Sequence, residues 1–289
     1  MFGIAAEWAN KIVRCLDTEL SLTRLRRTQT LEEVAAGRTV LITGASSGIG
    51  RATALRIGAA GATVALVARR EPELRAVAAE IEALGGKPYV YPCDLTDFAA
   101  VDALTKQVLA DHGGVDVLIN NAGRSIRRRL DESYDRFHDY DRTMRLNYLA
   151  PVRLMLALVP GMRERGYGSI INVLSIANLA GAPGYSAYTA SKAALDALCA
   201  NLQVETRSDN VRFTSVFMPM VRTAMIAPNE IYKNAQALTP EQAAEAIADG
   251  VIDRPRRIAP ILGRFTVVLD HLIPETLDDL RAKLFEKGV

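Results

Sequence analysis

A tyrosine and a lysine in the second half of the chain are spaced for joint proton transfer. Tyr188 and Lys192 are four residues apart, and this spacing places two side chains on one face of a helix. A free phenol has a pKa of about 10, and a neighbouring ammonium stabilises the phenolate and lowers that pKa. The pair could therefore act as a general acid, although taken alone the same spacing is more common in surface pairs.

A glycine-rich turn near the start of the chain is suited to bind phosphate. It spans residues 43–50, between an apolar run at 39–42 and a helical pattern that begins at Arg51. Glycines let the backbone approach a ligand, and a helix start offers free N–H groups to phosphate. A strand before the turn and a helix after it are the context of a dinucleotide site. The predicted cofactor contacts here are Gly44, Ser46, Ser47, Gly48, Ile49 and Gly50.

Strands and helices alternate along the rest of the chain. The predicted strands are residues 39–42, 62–68, 89–93, 115–119, 169–174, 211–217 and 257–262. The predicted helices begin at 51 and cover 71 to about 85, 97–110, 132–165 with a bend near Pro151, 186–206 and 240–253. Short β-branched runs followed by helical periodicity predict an α/β fold, a Rossmann-type doubly wound parallel sheet with helices on both faces.

The residues after the second and third predicted strands bear on the cofactor. An acid after the second strand accepts the 2′-hydroxyl of NAD, whereas arginine accommodates the 2′-phosphate of NADP. Arg69 and Arg70 stand there, and Arg51 adds positive charge nearby. We therefore predict NADP(H), with a solvated arginine pair as the alternative. Asp94, followed by Leu95, could accept the adenine amino group, cap the next helix, or do both.

Four motifs together resemble the classical short-chain dehydrogenase/reductase family over residues 38 to 262. They are the turn at 43–50, Asn120-Asn121-Ala122-Gly123, Ser175 and the Tyr188–Lys192 pair. The resemblance implies that Tyr188 donates a proton to the substrate oxygen and that Lys192 holds the nicotinamide ribose and lowers the tyrosine pKa. It implies that Ser175 hydrogen-bonds the reacting carbonyl and that Asn147 supports a water-linked proton relay. The implied further cofactor contacts are Asn121, Ala122, Gly123, Tyr188, Lys192, Pro219, Val221 and Thr223.

Two positions depart from the family pattern. Met220 follows Pro219 where the family usually has glycine, and Leu174 precedes Ser175 where a second serine is common. The methionine could reshape the substrate entrance, but neither change removes a catalytic group.

Further stretches are similar to one branch, the bacterial long-chain fatty acyl-CoA reductases that form aldehydes. They are residues 120–128, 133–148, 218–232 and 254–259. This similarity implies NADPH-dependent reduction of an acyl-CoA thioester. One alternative is oxidoreduction of another apolar carbonyl or alcohol, and a second is a non-catalytic NADP-binding sensor or scaffold. Aldehyde formation from acyl-CoA supports the first of the three, whereas NADPH binding without turnover of any carbonyl supports the sensor or scaffold.

Four arginines crowd into the segment that follows the Asn120–Gly123 motif. They are Arg124, Arg127, Arg128 and Arg129. A run of this kind is either a solvated basic face or a site for the phosphates of coenzyme A, because guanidinium groups bind phosphate in a bidentate manner. The sequence leaves both open.

Composition excludes several other classes of function. The 289 residues carry 35 Lys and Arg against 33 Asp and Glu, so overall charge does not favour nucleic acid. The three cysteines are not paired for metal binding, and no apolar run is long enough to span a bilayer. We expect a cytoplasmic protein with a small-molecule substrate and no metal. The family resemblance further implies a homodimer or homotetramer that pairs through the long helices around Asn147 and Tyr188.

Residues 1–36 differ from the rest of the chain and are predicted to form an N-terminal helical extension to a domain at 37–289. Apolar residues recur there at roughly helical spacing, and three arginines follow at 24, 26 and 27. Peripheral contact with a membrane is one interpretation. Packing on the domain or on a partner subunit is the favoured one.

Overall fold

The alternating pattern folds into a seven-stranded parallel sheet. The computed structural model describes residues 27–227 and 236–286. The strands are β1 (Thr39–Thr43), β2 (Thr63–Ala68), β3 (Lys87–Pro92), β4 (Val117–Asn120), β5 (Gly168–Ser175), β6 (Val211–Met218) and β7 (Arg257–Ile258). Their order in the sheet is β3-β2-β1-β4-β5-β6-β7, and every pairing is parallel. The order reverses between β1 and β4, where doubly wound sheets bind ligands.

Helices cover both faces of this sheet. They are α1 (Leu31–Ala35), α2 (Gly48–Ala59), α3 (Glu71–Ala83), α4 (Phe98–His112), α5 (Phe137–Met144), α6 (Ala150–Glu164), α7 (Ala177–Ala180), α8 (Ser186–Glu205), α9 (Pro240–Asp253), α10 (Ile261–Leu272) and α11 (Pro274–Glu286). One core joins the sheet to α1, α2, α3 and α9, and the other joins it to α4, α6 and α8. Successive strand residues serve opposite cores, so Val40 and Ile42 face the first core and Leu41 the second.

The predicted alternation is confirmed, and most boundaries agree within three residues, but two elements differ more. The last strand was expected at 257–262, yet β7 contains two residues and α10 begins at Ile261. Pro260 stands between them, and proline cannot donate a ladder hydrogen bond. The long helix expected at 132–165 is divided by a π-helical turn, Arg145–Leu149. Pro151 follows in the first turn of α6, where its missing N–H costs little.

The start of the described chain is part of the domain core. Thr30 and Glu33 form a reciprocal cap at the start of α1, and Leu31, Val34 and Ala35 are buried in the first core. Arg27 binds Asp249 of α9 at 2.7 Å. Residues 1–26, which carry most of the expected extension, lie outside the described residues. No helix in the part of the chain that the structure describes is both long and apolar enough to cross a membrane.

Candidate active site

The carboxyl ends of the strands open into one cleft of about 1150 Å³. Residues that follow β1 to β6 line it, as expected at the carboxyl edge of a doubly wound sheet. It contains nearly all of the sequence-predicted site residues: Gly44, Ser46, Ser47, Gly48, Ile49, Arg69, Arg70, Asp94, Leu95, Asn121, Ala122, Gly123, Ser175, Tyr188, Lys192, Pro219, Val221 and Thr223. Two predicted residues, Gly50 and Asn147, lie behind its wall.

A threonine joins the glycine turn to the neighbouring strand. Thr43 Oγ1 donates to the carbonyl of Ile119 at 3.2 Å, and accepts from the backbone N–H groups of Asn121 and Ala122 at 3.0 Å each. The Asn121 amide donates back to the carbonyl of Thr43 at 2.9 Å. The loops after β1 and β4 are therefore held as one unit on either side of the point where the strand order reverses.

The close packing of this unit requires glycine at specific positions. A Cβ at Gly50 would lie 2.1 Å from the Gly44 carbonyl oxygen, and Gly44 itself has a φ of +69°. A Cβ at Gly48 would lie 3.1 Å from Thr223 Cγ2, so Thr223 closes the turn from the opposite side. The turn is a backbone cradle at the start of α2, which fits the pyrophosphate of a dinucleotide.

Ser175, at the end of β5, lines the cleft together with Tyr188 and Lys192 of α8. The hydroxyl of Tyr188, on α8, hydrogen-bonds the side chain of Ser175 at the end of β5. Burial raises the pKa of Tyr188, and the hydrogen bond with Ser175 acts in the opposite direction. The phenol is therefore protonated at neutral pH in this state of the site.

Lys192 is buried beneath the cleft. Its ammonium donates to the Val173 carbonyl at 2.7 Å, and burial lowers its pKa to about 8. A Cβ at Gly123 would lie 3.4 Å from Lys192 Nζ and equally close to Asn147 Oδ1. Lys192 of α8 thus packs against the loop after β4.

Asn147 supports the cleft from behind. It lies in the π-helical turn, fully buried, and its side chain binds both the N–H and the carbonyl of Arg124, at 2.8 and 2.9 Å. It also donates to Ser191 Oγ at 3.0 Å. These contacts tie the loop after β4 to α8, and π-helical turns inside α-helices are frequent at functional sites.

The two arginines after β2 differ in their partners. Arg70 pairs with Glu73 at 2.9 Å, whereas Arg69 makes no ion pair within residues 27–227 and 236–286. Arg69 and Arg124 both help to lower the pKa of Asp94, after the larger effect of its bond from the Thr96 N–H. Asp97, not Asp94, caps α4 by accepting from Ala99 and Ala100. Arg51 was expected to add charge here, but it pairs with Glu80 outside the cleft.

The arginine run after β4 is divided between two roles. Arg124 and Arg127 line the cleft. Arg128 instead donates to the buried carboxylate of Asp139 at 2.9 Å, and Arg129 stacks 4.7 Å from the Phe285 ring centroid. Some of these arginines were expected to meet a phosphate ligand, and this stays a prediction, with Arg124 and Arg127 in position at the cleft.

Sequence reasoning missed the apolar wall of the cleft. It consists of Ile176, Ala177, Ala182, Met220, Met225 and Ile226, with the Tyr185 ring 6.5 Å from that of Tyr188. These residues come from separate loops, and the sequence did not show that the loops meet in one apolar surface. Helices α10 and α11 pack on the same loops, since Gly263 lies against Ile176 and Phe285 lies against Gly184. Within the described residues, no cluster of metal-ligating side chains is present.

Comparison with known proteins adds the family. The model of the short chain dehydrogenase family matches residues 38–233. The chain belongs to the short-chain dehydrogenase family. It is thus an oxidoreductase of a family that uses nicotinamide cofactors, as the glycine turn and the Tyr188–Lys192 pair predicted.

Individual relatives narrow the comparison. An uncharacterized oxidoreductase of Mycobacterium tuberculosis is 54% identical over 258 residues, which are 88% of this chain and 76% of that protein. A fatty acyl-CoA reductase of Acinetobacter baylyi is 52% identical over 243 residues, 84% of this chain and 82% of the relative. The crystal structure of a metagenomic short-chain oxidoreductase in complex with NADP has a TM-score of 0.66 and 34% identity, and covers 76% of this chain and 92% of its own.

Gly50→Ala should lower cofactor affinity at least as strongly as it lowers stability. The added methyl group would overlap the Gly44 carbonyl oxygen and force the cradle to open, and overpacking of this kind costs about 1–3 kcal/mol. Cofactor titration and thermal unfolding measure the two effects. Gly250→Ala is the matched control, because its methyl group would meet only ordinary contacts at 3.5 Å. Unchanged cofactor affinity in Gly50→Ala would contradict the prediction that this turn binds the cofactor.

Proposed function

We propose that this protein is an NADPH-dependent reductase that converts a long-chain fatty acyl-CoA thioester to the aldehyde. The observation that carries the proposal is that Ser175, Tyr188 and Lys192 line the same cleft as the glycine cradle, with Tyr188 hydrogen-bonded to Ser175. The apolar wall beside them suits an acyl chain. The 52% identity to a fatty acyl-CoA reductase supports the choice of a thioester.

The cradle and Arg69 are the proposed holders of the cofactor. The N–H groups of the turn at 43–50 face its pyrophosphate, and Arg69, with no ion pair among the described residues, faces a 2′-phosphate. When bound, the reduced nicotinamide supplies the hydride. Asp94 keeps a carboxylate beside Arg69 because the Thr96 N–H lowers its pKa, so it can accept a hydrogen bond from the adenine amino group.

Tyr188 and Ser175 are the proposed groups that stabilise the reacting oxygen. Burial keeps the phenol protonated, which is the form that donates a proton to an oxygen gaining negative charge. Ser175 donates a second hydrogen bond to that oxygen, as in an oxyanion hole. Lys192, one helical turn from Tyr188 on α8, is the proposed group that favours the phenolate left after donation. Asn147 acts in this scheme by fixing the backbone of Arg124.

The thioester then breaks without a protein nucleophile. Hydride addition and proton donation give a hemithioacetal, whose carbon–sulfur bond breaks as its hydroxyl loses a proton. The products are the aldehyde and the free thiol of coenzyme A. Among the described residues an acyl-enzyme on cysteine is disfavoured, because burial raises the pKa of the Cys93 thiol to about 11 and that of Cys199 to about 12. Neither cysteine is a thiolate at neutral pH, and the thiolate is the nucleophile.

A second candidate is the reduction or oxidation of another apolar carbonyl or alcohol. The same apolar wall favours it, since side chains such as Ile176 and Met225 accept any apolar group. The sensor or scaffold alternative has less support, because binding NADP does not require Ser175 and Tyr188 to share a hydrogen bond.

Assembly through α6 and α8 is the proposed quaternary arrangement. Leu156 on α6 and Val204 on α8 are 70% and 73% exposed, and Leu149 in the preceding turn is 39% exposed. Apolar side chains exposed on neighbouring helices fit burial in a homodimer or homotetramer.

The decisive test is incubation with NADPH and acyl-CoA thioesters of increasing chain length. We expect NADPH oxidation, aldehyde and free coenzyme A in equal amounts, with better turnover of long chains. Ketones and aldehydes of similar apolar size are the comparison substrates. Turnover of these compounds with none of any thioester would favour the second candidate.

Tyr188→Phe should abolish most turnover while cofactor binding stays nearly unchanged. It removes the proton donor but keeps the ring, and general acid catalysis typically contributes about 10²–10⁴ in rate. Steady-state turnover and NADPH titration measure the two quantities. Tyr89→Phe, which removes an exposed hydroxyl on β3 outside the cleft, is the control. Turnover within a factor of about two of the unmodified protein would refute the role, since that is far below the contribution of a general acid.

Arg69→Ala should weaken NADPH binding far more than NADH binding. Only NADPH carries the 2′-phosphate, and an exposed charge-assisted contact is worth about 10-fold in affinity, the lower end of its range. Arg75→Ala, which breaks an exposed pair with Glu71 outside the cleft, is the matched control. Equal losses for both cofactors would show that Arg69 acts on the fold instead.

A further inference from the structure

The buried carboxylate of Asp139 determines how the loop after β4 faces the cleft. Asp139 is 4% exposed and accepts from Arg128 Nε at 2.9 Å. The backbone N–H of Arg128 donates to the Gly184 carbonyl at 2.7 Å, just before α8. Tyr140 and Ser186 join their hydroxyls at 2.8 Å beside it. Arg128 is thus fixed at both its side chain and its backbone, between α5 and the loop that leads to Tyr188.

Arg127, the residue before Arg128, lies at the cleft with its charge unpaired in the described residues. Arg127 lines the cleft and is exposed, with its Cγ 3.8 Å from where a Cβ at Gly184 would lie. Its guanidinium makes no hydrogen bond or ion pair with any residue in the described ranges. A rigid backbone therefore presents an unpaired cation, which lowers the entropic cost of binding an anion.

Two other arginines that line the cleft, Arg124 and Arg145, lie toward the cofactor half. Arg124 acts electrostatically on Asp94, after β3. Arg145 pairs with Asp141 and lies 5.5 Å from the ring of Phe98, which begins α4 after Asp94. Arg127 instead adjoins Gly184, in the same loop as the cleft residues Ala182 and Tyr185. Arg127 therefore lies next to the apolar wall.

We propose that Arg127 binds a phosphate group on the thiol half of the thioester substrate and so selects coenzyme A thioesters over phosphate-free ones. This inference rests on the proposed function. Guanidinium groups bind phosphate through two parallel hydrogen bonds. The acyl carbon lies by Tyr188 and Ser175 and its chain on the apolar wall, while the phosphates extend along the loop that carries Arg127.

The test compares two thioesters of one acyl chain. Palmitoyl-coenzyme A carries phosphates, whereas the palmitoyl thioester of N-acetylcysteamine carries none and keeps the same reacting bond. The measured quantity is the ratio of their kcat/KM values, because a general disturbance of the site cancels in a ratio. We expect Arg127→Ala to lower this ratio about 10-fold, mainly through KM for the coenzyme A substrate.

Two further variants and ionic strength sharpen the comparison. Arg127→Lys should give an intermediate ratio, since lysine keeps the charge but not the planar fork. Arg129→Ala removes an equal charge two residues away, on a side chain stacked against Phe285, and should leave the ratio unchanged. Added salt should lower the ratio in the unmodified protein and have little effect on it in Arg127→Ala.

Failure of the inference and failure of the proposed function give different results. If the unmodified protein reduces both thioesters but Arg127→Ala leaves their ratio unchanged, the phosphate role is overturned and the reductase activity stands. A ratio that falls equally in Arg129→Ala also overturns it, because general charge then explains the effect. If the unmodified protein reduces neither thioester, the proposed function fails and the inference fails with it.

Discussion

The hydroxyl of Thr43 joins the two halves of the sheet at the point where the site must form. It bonds to three backbone groups of the neighbouring β4 segment, and Asn121 returns a bond to its carbonyl. Parallel strands that wind in opposite directions leave a crevice between their loops. Without a bridge across that crevice the loops after β1 and β4 could move separately. With it, the glycine cradle and the Asn120–Gly123 loop have one fixed separation.

The catalytic side of the cleft relies on burial rather than on opposite charges. Lys192 is buried without a carboxylate partner in the described residues, and its ammonium is satisfied by the Val173 carbonyl. Burial lowers its pKa and raises that of Tyr188. Burial thus keeps the phenol of Tyr188 protonated and brings the pKa of the Lys192 ammonium down toward neutral pH. A salt bridge to Lys192 would have opposed this, because a carboxylate favours the charged ammonium.

The buried carboxylate of Asp139 determines which arginine of the loop after β4 stays at the cleft. Asp139 attracts Arg128 and also lies near Arg136 and His138. A buried carboxylate is tolerated only when it is paired and hydrogen-bonded. Satisfying it ties α5 to the loop before α8 and at the same time leaves Arg127 facing the cleft. The same carboxylate therefore holds the loop before α8 in place and leaves the positive charge of Arg127 at the cleft.

The sequence by itself determined the alternation of strands and helices, the glycine turn and the Tyr188–Lys192 pair, and its resemblance to a known family added Ser175. All but Ser175 depend on local spacing: the period of apolar residues, glycine where a Cβ would clash, and the helical separation of two side chains. The tertiary structure alone decided which arginine meets which partner. Arg127 and Arg128 are neighbours of equal charge, and their different roles follow from Asp139 and Gly184, 11 or more residues away in the chain. The sequence did not show the apolar wall either, because its residues come from separate loops that only folding brings together.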